Sequence, residues 1–128
     1  MMTPAAYVRS VLESRIDDIP NLSSEHVHTF MIDPSDNAKE DLILVISELV
    51  DGGGSYGNDQ ELNITRQVQL IFYYPPNYEF DMSEIEKSVK QVLFDQQIRC
   101  FSDAGHVMTP DSQNIINTLK FKYTEEEL

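Results

Sequence analysis

The segment Asn63–Tyr74, NITRQVQLIFYY, places the strongest constraint on how this chain can fold. Along it, large apolar side chains alternate with mostly polar ones, and the apolar set includes Val68, Leu70 and Phe72. A period of two residues is typical of a β-strand with one face in a core. Pro75 and Pro76 follow and end the strand, since proline cannot donate a hydrogen bond to a sheet ladder. The chain must therefore build a sheet and cover one of its faces.

Two segments have the helical period that such a cover needs. Thr3 and Pro4 are a favourable helix start, and the apolar positions that follow predict a helix ending near Asp17 or Asp18, before Pro20. Ser83 and Glu86 have capping-box spacing and predict a second helix that ends near Asp95 or Gln96. Further strands are expected at residues 26–32, 42–49, 98–103 and 113–123, with a loop from 104 to 112 and a frayed acidic end at 124–128.

The predicted order is α-β-β-β-α-β-β in a single domain, residues 1–128. We expect an α+β fold in which two helices pack on one face of a mostly antiparallel sheet of four to five strands. The other face would keep apolar residues that two helices cannot cover, and such patches usually mark association. Aromatic residues near the double proline add to this set. The candidate interface residues are Ile43, Val45, Ile71, Tyr74 and Tyr78.

The charge is strongly one-sided, with 22 acidic residues against 9 Lys and Arg and a formal net charge of -13. Such a surface repels phosphate backbones, so direct nucleic-acid binding is not expected. It suits either plain solubility or a passage that DNA slides through without adhering. Cys100 is the only cysteine, which rules out an internal disulfide. No signal peptide or run of about 20 apolar residues is visible, so we expect a cytoplasmic product without membrane contact.

The motifs for cofactor or metal binding are weak. The glycine-rich stretch at 49–62 lacks the lysine and hydroxyl residue of a phosphate-binding loop. His26 and His28 lie two apart, but His106 or Cys100 would have to complete a zinc site without supporting spacing. We expect no metal and no cofactor.

Catalytic patterns are weak as well. Neighbouring acidic residues, such as Glu84 and Glu86, are interpreted as solvated surface charges or helix-dipole partners. No G-x-S-x-G motif is present. We therefore expect a protein that is not an enzyme.

The succession of these segments resembles a known family. An "MTP" helix start, an apolar central strand, an "SYGND" loop, a "VQLIFYY" strand, a helix and a "TPDSQ" loop before the last strand occur in this order over about residues 2 to 123. This arrangement resembles the tail-terminator, or tail-completion, proteins of siphophages, particularly those of phages that infect Gram-positive bacteria. The run of three glycines and the three glutamates near the end depart from the family pattern.

The resemblance implies a structural virion protein, found in the host cytoplasm during assembly and then at the head-proximal end of the tail. Its copies would form a hexameric ring that caps the tail tube, ends tube polymerisation and offers a surface to the head-side connector or stopper protein. DNA would pass through the ring without specific binding. A loop facing that channel would consist of Asp51, Gly52, Gly53, Gly54, Tyr56, Gly57, Asp59 and Glu61. The alternatives are another neck component, such as a head-completion stopper or adaptor, and a small acidic ligand-binding regulatory domain.

Overall fold

The computed structural model describes residues 3–30, 42–49, 63–76, 78, 80–110 and 114–126. Two α-helices and six strands make up this part of the chain, together with two single 3-10 turns at Ile16–Asp18 and Ser24–His26. In chain order the elements are α1 (Pro4–Ser14), β1 (Val27–Thr29), β2 (Ile43–Glu48), β3 (Asn63–Tyr74), α2 (Met82–Phe94), β4 (Arg99–Asp103), β5 (Val107–Met108) and β6 (Ile115–Glu126).

The six strands form one mixed sheet in the spatial order β1-β2-β3-β6-β4, and β5 pairs with β6 beyond the end of β4. Strands β1 and β2 run parallel, whereas every other pairing between described strands is antiparallel. The pairing of β3 with β6 is the longest and runs from Asn63 opposite Glu126 to Tyr74 opposite Ile115. Strands β3 and β6 therefore form the centre of the sheet, and the other strands pair on either side of them.

Each helix begins at a side-chain cap. Thr3 accepts a hydrogen bond from the Ala6 amide at the start of α1, and Pro4 occupies the first position, where its missing N–H costs nothing. At α2 the cap is Asp81, whose carboxylate accepts from the Ser83 and Glu84 amides. The predicted capping box of Ser83 with Glu86 was wrong, because the helix starts one residue before Ser83.

Both helices pack on the same face of the sheet, and the core lies between this helix layer and the sheet. Val8, Leu12, Val89 and Leu93 contribute from the helices. Alternate residues of each long strand contribute from the sheet, namely Leu44, Ile46, Val68, Leu70, Phe72, Tyr74, Leu119 and Phe121. At the edge of this layer, Arg15 after α1 forms an ion pair with Asp95 after α2 and joins the ends of the two helices.

The predicted α+β class, with two helices on one face of a mostly antiparallel sheet, is confirmed. Three details differ from the prediction. The sheet is mixed, since the predicted first strand at 26–32 is shorter and pairs in parallel, and β5 brings the number of strands to six. The expected loop 104–112 contains β5. The acidic end is not frayed from residue 124, because β6 continues to Glu126 and pairs there with β3.

Candidate assembly surface

The sheet has a second face, on which no helix of the described residues packs. Side chains alternate between the two faces along a strand, so the neighbours of core residues point away from the helices. On β2, Leu44 and Ile46 belong to the core with the helices, and Val45 between them points to the other side. We call this helix-free side of β1 to β6 the open face.

Four apolar side chains lie in one row across the open face. Ile43 is opposite Tyr73, Tyr73 is opposite Ile116, and Ile116 is opposite Val107 on β5. Directly paired residues of neighbouring strands share a face and have close side chains, so these four residues form a continuous apolar row. The side chain of Val107, at the rim, is 58% exposed. The apolar row is therefore accessible to water at the end formed by Val107.

The five predicted interface residues do not all lie on this face. Ile43, Val45 and Ile71 do, and Val45 is directly opposite Ile71. Ile43 and Val45 are only 9% and 5% exposed. The accessible apolar surface therefore comes from Ile71 and from the other three members of the apolar row, Tyr73, Ile116 and Val107. Tyr74 was wrongly assigned to the interface: it is fully buried on the helix-covered face. Tyr78 is partly buried, and its ring packs against Tyr74.

Away from the apolar row, the open face becomes polar and then basic. In one row across β3, β6 and β4, Gln69 is opposite Lys120, and Lys120 is opposite Ser102. In a further row, Gln67 is opposite Lys122, and Lys122 is opposite Arg99.

We call Arg99, Lys120 and Lys122 the basic triad. The Lys122 ammonium lies 5.6 Å from the ring centre of Phe101, and the Arg99 guanidinium lies 5.7 Å from that of Phe94. Both are cation–π contacts. None of the three cations forms an ion pair with an acidic side chain in the described part of the chain, whereas Arg9, Arg15 and Lys90 each do.

A buried polar cluster lies on the other face, between α2 and the sheet. The carboxylate of Glu86 is 3% exposed and accepts a hydrogen bond from the Tyr74 hydroxyl at 2.6 Å and one from the Asn117 side-chain amide at 2.9 Å. The Nε2 atom of His106 lies 2.8 Å from the same carboxylate. These four residues, the Glu86 cluster, come from α2, β3, β6 and the segment before β5. Three partners compensate the cost of burying a carboxylate.

The surroundings of this cluster shift two nearby pKa values. Burial, reinforced by the hydrogen bond to Glu86, raises the pKa of the Tyr74 hydroxyl well above its usual value. Burial opposes the ionisation of Asp103, but hydrogen bonds from Lys90 and Asn117 outweigh it and lower the pKa of that carboxyl. Lys90 and Asp103 form an ion pair near this cluster, with 3.0 Å between the Lys90 Nζ and Asp103 Oδ2 atoms.

The sequence interpretation missed Glu86, treating it as a solvated charge, and it missed Asn117. Both had a detectable signal. Glu86 lies three residues before Val89 and seven before Leu93, which places it inside the buried stripe of α2. Asn117 lies two residues before Leu119 and therefore shares the core face of β6.

Other predictions on candidate sites have mixed outcomes. The predicted channel loop, residues 51 to 61, lies outside the described residues, so its placement stays a prediction. His26 lies in a 3-10 turn rather than on the strand with His28, which removes the geometric reason for pairing them. Among the residues that the structure describes, no group of three or more His, Cys, Asp or Glu side chains could hold a metal ion.

Comparison with known proteins adds no relative. No protein-family model matches the chain, and no curated protein matches it either. Within the described ranges, neither helix has the length and apolar character to span a membrane.

Proposed function

We propose that this chain is a structural assembly protein of the siphophage tail-terminator kind. Copies of it form a ring on the end of the tail tube, stop the polymerisation of tube subunits and provide the surface to which the head attaches. The observation that carries the proposal is the open face, where the apolar row crosses four strands and no described helix packs on it. An apolar sheet face of this kind favours association with other protein surfaces.

Two other properties of the chain support an assembly role. A net charge of -13 keeps separate copies soluble and disfavours the adhesion of DNA that passes through a ring. Exposed apolar side chains also occur at Met108 on β5, Phe101 on β4 and Phe94 at the end of α2. They add apolar area that neighbouring subunits or the tube end could bury.

The test is electron microscopy of the purified full-length protein, alone and mixed with isolated tail tubes. We expect ring-shaped density on tube ends, and we expect phage that lack the protein to make overlong or unattachable tails beside DNA-filled heads. Tails of normal length that join heads in the absence of the protein would contradict the proposal. Rings bound to heads but never to tubes would instead identify a head-completion component.

A further inference from the structure

The basic triad is the part of the open face that the apolar row does not explain. The whole chain has nine Lys and Arg residues and 22 acidic residues. Three of the nine basic residues lie together on adjacent strands. Three other cations of the described chain form ion pairs: Arg9 with Glu13, Arg15 with Asp18 and Asp95, and Lys90 with Asp103. The triad thus leaves three positive charges available on one side of an acidic molecule.

We propose that the basic triad binds carboxylates of a second copy of this chain. This inference rests on the proposed ring-forming function and names the chemistry of the subunit contact. The charge complementarity is within the chain itself, because every copy carries 22 acidic residues against 9 Lys and Arg. Aromatic rings at Phe94 and Phe101 lie against the Arg99 and Lys122 cations and add apolar area to the same contact.

The charges also determine the kind of symmetry. If two copies met triad to triad, six positive charges would face one another, which disfavours an isologous contact through this patch. A contact between the triad of one copy and an acidic surface elsewhere on the next joins two different patches, and it is heterologous when the same two copies do not make the contact reciprocally. Heterologous contacts repeat from copy to copy and close into rings when the rotation permits. The charges therefore disfavour a two-fold axis that passes through the triad, and they are compatible with the head-to-tail contacts of a ring.

Zero-length cross-linking tests the contact directly. Full-length protein with natural nitrogen and full-length protein labelled with ¹⁵N are mixed at high concentration and low salt, and a carbodiimide is added to couple amines to carboxylates. We expect peptides of mixed isotopic origin that join Lys120 or Lys122 to acidic residues. Lys87, which is exposed on α2 and has no carboxylate partner in the described residues, is the matched internal control.

The expected yield of mixed-isotope links is about tenfold higher at Lys120 and Lys122 than at Lys87, and it falls as salt is raised, because salt screens exposed charges. Equal yields at the three lysines, or no mixed-isotope links, would overturn the inference. The double variant Lys120→Glu with Lys122→Glu should lose concentration-dependent association in sedimentation, and Lys87→Glu should keep it.

The outcomes separate this inference from the proposed function. Rings that cap tail tubes without preferred links at the triad would overturn the contact and leave the ring-forming role standing. Mixed links at the triad in a protein that never caps tubes would support the contact and overturn the role. Salt-sensitive binding of a labelled single-stranded oligonucleotide that the double variant abolishes would show that the patch is a nucleic-acid site instead.

Discussion

The hydroxyl of Tyr74 tests how much the buried Glu86 cluster contributes to stability. Tyr74→Phe removes one oxygen atom and keeps the ring, which packs against Phe72 and Tyr78 in the core. The lost hydrogen bond is short, 2.6 Å, and its acceptor is a carboxylate that is almost completely enclosed. Hydrogen bonds to charged groups contribute about 1.5–3 kcal/mol. We therefore expect the free energy of unfolding to fall by about 2 kcal/mol.

Urea denaturation followed by circular dichroism measures this change. With a slope of about 2 kcal/mol per molar urea, within the range for small domains, the midpoint should fall by about 1 M while the slope stays constant. The matched control is Tyr73→Phe, one residue earlier on the open face. The Tyr73 side chain is partly exposed, and its hydroxyl has no hydrogen bond to any described residue. We expect its variant to change stability by less than about 0.5 kcal/mol.

Two results would contradict this expected loss of stability. If Tyr74→Phe cost less than about 0.5 kcal/mol, the hydroxyl would not be compensating a buried charge. If both variants lost the same stability, the effect would come from tyrosine hydroxyls in general rather than from the Glu86 cluster. A change in the slope would instead indicate a change in the unfolded or native ensemble, and coincident transitions by two probes would exclude an intermediate.

Three further predictions concern the same region. The raised pKa of Tyr74 means that the folded state keeps the phenolic proton after the unfolded state has lost it. The stability of the wild type relative to Tyr74→Phe should therefore be constant below the ordinary pKa of 10.0 and fall above it by about 1.4 kcal/mol per pH unit, as urea titrations at several pH values would measure. Gly105→Ala should cost about 1 kcal/mol in urea unfolding, because Gly105 has a φ of 86° with open space around it, so backbone strain rather than a clash sets the cost. Asp103→Asn should cost at most about 1 kcal/mol at neutral pH, and the difference should vanish in acid denaturation as the pH falls through and below the ordinary carboxyl pKa of 3.8, since the folded pKa is lowered.

The spacing of apolar residues along the chain predicted most of the sheet face that the two helices cover. The twelve-residue alternation of 63–74 matches β3 residue for residue, and the stripes of α1 and α2 identified which side of each helix is buried. These signals are strong because a shift of one residue along a strand would turn all of its core side chains towards water. The same alternation placed Ile43, Val45 and Ile71 on the face opposite the helices.

Three features lay beyond sequence reasoning for physical reasons. β5 has only two residues, so it has no period to detect, and its pairing with β6 is a tertiary fact. The parallel direction of β1 relative to β2 depends on how the chain connects the two strands, and local sequence propensity does not determine that connection. The basic triad combines Arg99 with Lys120 and Lys122, residues about twenty positions apart that the register of β4 against β6 brings together.

The buried cluster and the open face are linked through His106. Its Nε2 atom lies 2.8 Å from the Glu86 carboxylate, and the next residue, Val107, begins β5 and ends the apolar row. A two-residue strand has too few ladder hydrogen bonds to fix its own position. Its place at the sheet rim must therefore depend on its flanks, where His106 contacts Glu86 on one side and the Thr109 amide donates to the Asn114 carbonyl on the other. The Glu86 carboxylate thus contacts the residue next to the end of the apolar row, and a loss of this contact should shift Val107 relative to Ile116.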